Sequence, residues 1–187
     1  MIYAMINWVC WGAFVLMWLG GAVYNAINGP RVLRKKTGFW GSWAIGIVIV
    51  WCLVRYDPYL WAKLRLNVPW LQIAGAVLLI VSTLFTLWSR LVLGAMWSSA
   101  PSLKQDHQLR TDGPYRITRH PIYTGMLGML AGSALTSMIG LPVLLFFLAI
   151  LLIKIPYEEK LMIEQFGEQY LDYKKRTPQL IPGLHIR

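Results

Sequence analysis

The chain has 187 residues, of which 57% are hydrophobic and only 14% charged. A soluble domain would carry roughly 25% charge, so the composition excludes a disordered tail and argues against a soluble enzyme. It fits one small polytopic membrane domain spanning 1–187. The net charge of +10 points to loops facing anionic lipid rather than to nucleic acid. Ten Trp and nine Tyr suit a protein with two membrane–water interfaces. Cys10 and Cys52 both lie in apolar runs without metal-ligand spacing and read as buried thiols. The N-terminus lacks a basic n-region, so no cleaved signal peptide is expected.

No charged side chain occurs between Met1 and Pro30. A spanning helix needs about 20 apolar residues, which places span one at about Tyr3 to Tyr24. A basic plug follows, Arg31, Arg34, Lys35 and Lys36. Span two is about Gly38 to Val54, and a polar turn holds Arg55, Asp57, Lys63 and Arg65. Span three runs from about Pro69 to Ser89 and ends at Arg90. Residues 91–119 form a polar loop of roughly 30 residues, a length that is usually functional or disordered. Residues 122–153 are apolar again, with Gly140-Leu141-Pro142 as a break in the middle. They predict a helical hairpin, spans four and five, whose limbs need not both cross fully. The tail from Lys154 to Arg187 is polar and starts as a helix.

Lys and Arg fall asymmetrically on alternate sides of these spans. One side collects fifteen, in 31–36, 90–119 and 154–187, and the other three, in 55–65. Positive charge stays inside. The long loop and the C-terminal tail are therefore expected in the cytosol, with the N-terminus outside. The expected fold is an all-α integral membrane protein of about five transmembrane helices.

The polar signal concentrates in two segments, 107–125 and 158–173. A helical hairpin between them returns Arg119-His120 and Glu158-Glu159 to one membrane face. A helix from Tyr157 to Tyr173, at about 100° per residue, puts Glu159 on one stripe with Met162, Phe166, Tyr170 and Tyr173. Glu158 lies on its margin, and Glu164, Glu168 and Asp172 face the other way. An acid on an apolar stripe is costly unless paired, and Arg119 and His120 are the expected partners. Gly167 could interrupt this phase. Taken singly, each feature has a plainer reading. Arg119-His120 can anchor an interface, Pro121 can open a helix, and Glu158-Glu159 after Pro156 can complement a helix dipole.

Taken together, Gly113-Pro-Tyr115-x-x-x-Arg119-His120-Pro121-x-Tyr123-x-Gly125 and Glu158-Glu159-x-Leu-x-x-x-Phe-Gly-x-x-Tyr170-x-x-Tyr173 resemble the isoprenylcysteine carboxyl methyltransferase family. Its bacterial and phospholipid N-methyltransferase relatives share the pattern. Leu93-Gly94-x-x-Trp97-Ser98 and His107 also match it, so the resemblance covers about residues 90–182. It implies an integral membrane methyltransferase that uses S-adenosyl-L-methionine at a cytosolic site, on a lipophilic acceptor and without metal. Residues 1–90 would then be three N-terminal spans, and 91–187 the catalytic loop, hairpin and C-terminal helix. Carried over by position, His107, Leu109, Gly113, Tyr115, His120, Pro121 and Tyr123 would line the cofactor from the first segment. Glu158 and Glu159 would approach it from the second. Arg119 would face the acceptor or transition state, so Arg119 and Glu159 are the catalytic candidates. The departure is Arg110-Thr111, where a small apolar residue is commoner.

Two other functions compete. A non-enzymatic transporter or assembly factor would be supported by intramembrane charge, which spans one to three almost lack. An NADPH-dependent membrane reductase, which looks similar in its C-terminal part, would usually be much longer.

Overall fold

A long uncharged run can satisfy its backbone in lipid only as a helix, and α1 spans Ile2–Asn28. A computed structural model describes residues 1–29, 32–35, 68–97, 102–104, 109–137 and 140–184. Span two, Cys52 and His107 lie outside the described residues. Among those described, β1 (Val32–Lys35) precedes α2 (Pro69–Leu93), which runs into a 3₁₀ turn at Gly94–Met96. Then come β2 (Ser102–Lys104), a 3₁₀ turn at Gly113–Arg116, α3 (Pro121–Thr136), α4 (Gly140–Phe166) and α5 (Glu168–Arg176). The two strands pair antiparallel, with Arg34 opposite Leu103 and an irregularity after Val32. This small sheet is an addition to the expected all-helical fold.

Three described segments are long and apolar enough to cross a membrane: Ile2–Asn28, Pro69–Met96 and Gly140–Phe166. The 16 residues of α3 reach only about 24 Å at 1.5 Å per residue, short of a core of about 30 Å. The hairpin is therefore unequal, with a short limb and a long one. It reverses between Ser137 and Gly140, where the Gly140 N–H donates to the Ser137 carbonyl at 3.0 Å. Pro142 falls in the first turn of α4, where a missing N–H leaves no bond unmade. At its other end α4 continues through Pro156 to Phe166. Glu158 and Glu159 thus lie late in a long helix rather than in the first turn of a new one. Gly167, at φ +52°, ends it in the left-handed region that favours glycine.

Small residues bring α2 and α3 together. A Cβ on Gly125 would meet Thr86 Oγ1, and one on Gly132 would stand 2.6 Å from the Gly75 carbonyl oxygen. Without a hydrophobic driving force between helices in lipid, such close backbone approach supplies the contact energy. Thr83 and Thr86 donate to the carbonyls of Leu79 and Ser82, each at 2.7 Å. Their hydroxyls are thus satisfied within their own helix. Two apolar clusters complete the core. Leu130, Phe147, Leu151 and Ile155 join α3 to α4, and Cys10, Leu79 and Met129 join α1, α2 and α3. Cys10 is a buried free thiol, as its apolar setting implies.

Contacts between helix ends give the bundle two distinct poles. At one, Asn7 Nδ2 donates to Thr136 Oγ1 and Trp11 Nε1 to Ser133 Oγ, both at 3.0 Å. At the other, Asn25 Nδ2 reaches the Trp97 carbonyl at 3.0 Å, and the Tyr123 hydroxyl reaches Glu158 at 2.7 Å. The second pole gathers the C-terminal ends of α1, α2 and α4 and the N-terminal end of α3.

Candidate functional site

The site is assembled where the α3 N-terminus, the last turns of α4 and the segment after α5 meet. Gly113, at φ +56°, opens the turn that buries Pro114 and Tyr115. The Tyr115 hydroxyl donates to the Ser89 carbonyl at 3.4 Å, and the Tyr173 hydroxyl donates to the Tyr115 carbonyl at 2.5 Å. Burial pushes the phenols of Tyr115, Tyr170 and Tyr173 well above their ordinary range. They are neutral hydrogen-bonding groups at any working pH. Pro121 is the first residue of α3, and His120 is its N-cap without a side-chain cap bond, so the imidazole is free for other contacts.

The expected pairing of Arg119 with an acid on the apolar stripe is present. Arg119 is 8% exposed and Glu159 3%. Arg119 Nε and Nη2 both donate to Glu159 Oε1, at 2.9 and 2.7 Å. Its Nη1 donates to the carbonyls of Lys174 at 3.1 Å and Thr177 at 2.5 Å. The guanidinium is thus committed to α4 and to the tail, which it clamps together. Glu159 also receives Lys174 Nζ at 2.8 Å and Gln179 Nε2 at 3.1 Å. Its carboxylate is held charged by cations and donors in a nearly dry setting, where such bonds are strongest. Glu164, Glu168 and Asp172 are exposed, while Tyr170 and Tyr173 are buried, so the stripe keeps its face across the Gly167 break.

Glu158 is the more accessible carboxylate, 18% exposed against 5% for the Glu159 side chain. It accepts from the Tyr123 hydroxyl and lies 3.7 Å from both His120 Nδ1 and Lys154 Nζ. The His120 and Tyr123 rings stack at 5.7 Å, and Lys154 Nζ sits 5.1 Å from the centre of the Tyr123 ring. His120 Nε2 is buried and lacks a hydrogen bond, since Glu159 at 3.5 Å is too distant for a strong one. Leu109 is partly buried, and Gly113 is exposed with Trp88 and Val92 of α2 as its nearest side chains. His120, Pro121, Tyr123, Glu158 and Glu159 are thereby brought together, with Tyr115 linked to them through Tyr173.

A phospholipid methyltransferase (PEMT) family model matches residues 70–169, more than half of the chain. The chain belongs to this family. Protein-S-isoprenylcysteine O-methyltransferase of Rattus norvegicus is 28% identical over 170 residues, which is 84% of this chain and 58% of that one. Methanethiol S-methyltransferase 2 of Bradyrhizobium diazoefficiens is 40% identical over 81 residues, 42% of this chain and 30% of the relative. The solved structure of the eukaryotic intramembrane Ras methyltransferase ICMT, isoprenylcysteine carboxyl methyltransferase, matches with a TM-score of 0.62. It is 24% identical and covers 79% of this chain and 55% of that chain. At that identity the likeness is one of fold. The chain spans little more than half the length of the rat relative and of the solved structure.

The phospholipid methyltransferase match contains the Arg119–Glu159 and Tyr123–Glu158 contacts but stops before Lys174 and the tail. That tail is more than a polar extension. The N–H groups of Arg119 and His120 donate to the carbonyls of Pro178 and Gln179, at 2.8 and 3.1 Å. The Thr124 hydroxyl donates to the Leu180 carbonyl at 2.6 Å. Thr177-Pro178 was the available signal, because a residue before proline is pushed out of helical geometry into an extended one. Lys154, a basic residue at the start of the polar tail by sequence, is buried beside Glu158 in the structure.

Replacing Arg119 by Lys would keep the charge and lose the fork. One ammonium cannot hold Glu159 and two tail carbonyls together. Arg119→Lys is expected to speed amide exchange across 177–180 at least tenfold, read by mass spectrometry of the detergent-solubilised protein. Unchanged exchange there would mean that the clamp carries no load.

Proposed function

We propose that this chain is an integral membrane methyltransferase that moves the methyl group of S-adenosylmethionine onto a lipophilic acceptor. The observation that carries this reading is the meeting of residues 119–123 with 158–159 at one pole of the bundle, joined by Arg119–Glu159 and Tyr123–Glu158. Family membership and the methyltransferase names of the relatives support it. The fifteen basic residues assigned to one side support a cytosolic placement of this pole, with the N-terminus outside. In a bacterial cell that membrane would be the inner one.

The donor set fits the cofactor. S-adenosylmethionine supplies an electrophilic methyl on a sulfonium, together with an ammonium, a carboxylate and an adenosyl group. Glu158, the less buried acid, suits a cationic part. The stacked His120 and Tyr123 rings present flat faces to a cation. His120 Nε2, 3.5 Å from Glu159 Oε1, makes no strong hydrogen bond there. Tyr115, Leu109, Gly113, Pro121 and, outside the described residues, His107 complete the set assigned to cofactor binding. Glu159 is spent on Arg119, Lys174 and Gln179, so its part is to hold the floor of the site and orient His120. Arg119 acts through Glu159, as a positioning residue, rather than by touching the acceptor. Among the described residues no group of His, Cys, Asp and Glu could hold a metal.

Methyl transfer is an in-line displacement, and most of the help a protein gives is positioning. A lipophilic acceptor would arrive sideways from the bilayer, and the cofactor from the aqueous pole. A carboxylate acceptor carries no proton to lose, and its charge cancels that of the sulfonium as the bond forms, which a dry site favours. A thiol or neutral amine must shed a proton, and His120 is then the residue we assign as base.

The test is transfer of labelled methyl from S-adenosylmethionine into solvent-extractable material by the protein in lipid nanodiscs. Label should appear with the wild type and fall at least a hundredfold in Glu158→Gln, which removes the charge and keeps the shape. Label that never appears with any membrane extract, or an undiminished Glu158→Gln, would contradict the reading.

A further inference from the structure

Arg90 is a charged residue in a membrane-spanning segment, the kind of group that is expensive and functional by default. It sits in the last turn of α2, where a long basic side chain would ordinarily reach out to water. It does not, being only 3% exposed. Nη1 donates to the Gly94 carbonyl at 2.8 Å, and the guanidinium lies 4.8 Å from the centre of the Trp97 ring. Nε and Nη2 are buried without a hydrogen-bond partner. One carbonyl and one ring face compensate a buried guanidinium only in part, since a charge taken out of water needs an opposite charge or a full set of acceptors.

What surrounds those two nitrogens indicates the missing partner. The side chain presses against α1 at Gly21, where a Cβ would stand 2.4 Å from Nη2. One turn along α1, Asn25 Oδ1 is also buried without a partner, while its Nδ2 holds the Trp97 carbonyl. Behind them runs a ladder of rings. Phe14 stacks on Trp18 at 4.2 Å, and Trp18 meets Trp97 edge-on at 5.8 Å. Of the three long apolar helices among the described residues, α1 is the least buried. An unpaired guanidinium fork, a spare amide oxygen and a ladder of rings that continues to the Cys10–Leu79–Met129 cluster make a site with a polar head and an apolar track.

We propose that Arg90, with Asn25, binds the oxyanion head of an amphiphile that enters from the bilayer between α1 and α2. The head is a carboxylate or a phosphate, which a planar fork holds through two parallel bonds, and Asn25 Oδ1 accepts from an N–H or O–H on the same molecule. The tail lies along Phe14 and Trp18. The site stands without the methyl-transfer reading. Identifying its occupant as the methyl acceptor rests on that reading, in which case Arg90 fixes the acceptor's head near the Tyr115 side of the transfer site.

The experiment measures binding to the full-length chain with no methyl donor present, so its outcome is independent of the methyl-transfer reading. Oleate and methyl oleate, equal in tail and different in charge, are titrated into the protein in neutral detergent. Parallel samples sit in nanodiscs of phosphatidylcholine with and without phosphatidic acid, and Arg90→Met and Arg90→Lys are compared with the wild type. We expect oleate to bind at least tenfold tighter than methyl oleate, or phosphatidic acid to raise the melting temperature above phosphatidylcholine alone. The first result assigns the oxyanion to a lipophilic acid and the second to a bilayer lipid. Either preference should vanish in Arg90→Met and weaken in Arg90→Lys. Without ligand, Arg90→Met should melt at or above the wild type, because an unpaired buried charge has been removed. Equal binding of both oleyl compounds with no response to phosphatidic acid would overturn the proposal. So would a preference that survives Arg90→Met, or an Arg90→Met that melts well below the wild type while Arg90→Lys binds as before.

Discussion

Glu159→Ala is expected to cost about 3–5 kcal/mol of stability, the scale of removing one partner from a buried ion pair. It should also remove S-adenosylhomocysteine binding. The loss falls chiefly on Arg119, which is 8% exposed and would keep its charge with two donors aimed at nothing. Lys174 contributes less, because its side chain is 43% exposed and can turn to water. The tail would loosen as well, since Gln179 loses its acceptor. Glu164→Ala is the matched control. That side chain is exposed, and a surface substitution of this kind changes stability by about 0.5 kcal/mol or less. Thermal unfolding in detergent, beside a cofactor-product titration, checks both. Equal effects at Glu159 and Glu164 would show that the acid stripe has no special role.

The second large effect lies away from the site. Gly132→Leu is expected to yield no folded protein, and Gly132→Ala to lose about 1–3 kcal/mol or more, the range for overpacking a close interface. A Cβ there would stand 2.6 Å from the Gly75 oxygen and 2.7 Å from the Leu79 nitrogen. Both are backbone atoms, which no rotamer change moves aside, so α2 and α3 would have to part. Because α3 carries His120 at its N-cap and Tyr123 in its first turn, the site would be displaced as well. Gly12→Ala is the control, with nothing within 4 Å of the added carbon. It should be neutral or slightly stabilising, since glycine in a helix interior costs about 0.5–1 kcal/mol. Size-exclusion profiles and melting temperatures separate the two. A well-folded Gly132→Leu would mean that the helices are not in backbone contact.

Much of this architecture could be read from the chain because lipid leaves few options. An uncharged run from Met1 to Pro30 has to be a helix, and an apolar stretch as long as 122–153 has to reverse, although it does so just before Gly140 and Gly140-Leu141-Pro142 opens the next helix. The period of 3.6 placed Glu159 on the side of Tyr170 and Tyr173 and left Glu164 and Asp172 in water. Gly167 did interrupt the helix, as its sequence allowed, yet the following turn of α5 restored the same face. The tail was opaque for a physical reason. Pro178 and Gln179 accept from the backbone N–H groups of Arg119 and His120, and Leu180 accepts from the Thr124 hydroxyl, 56 residues earlier, and such pairing leaves no periodic trace. The short strands β1 and β2 are hidden in the same way, because four and three residues are too few to show alternation. Arg90 looked like the boundary of a span, and only its neighbours in α1 reveal that it turns inward.

The roles of Arg119 and Glu159 changed most between sequence and structure. Position in the motif placed Arg119 toward the acceptor. The geometry spends its donors on Glu159 and on the carbonyls of Lys174 and Thr177, which makes it the brace beneath the site. Glu158, with the Tyr123 hydroxyl, His120 and Lys154 around it and more exposure than Glu159, is then the carboxylate we propose to meet the cofactor's cationic part.

The most direct measurement is a calorimetric titration of S-adenosylhomocysteine into the detergent-solubilised chain, with EDTA present and no metal added. The account predicts saturable binding to one site per chain, unaffected by the chelator, and at least a hundredfold weaker in Glu158→Gln. Absence of heat at any concentration, binding that disappears with EDTA, or saturation by NADPH in its place would contradict it.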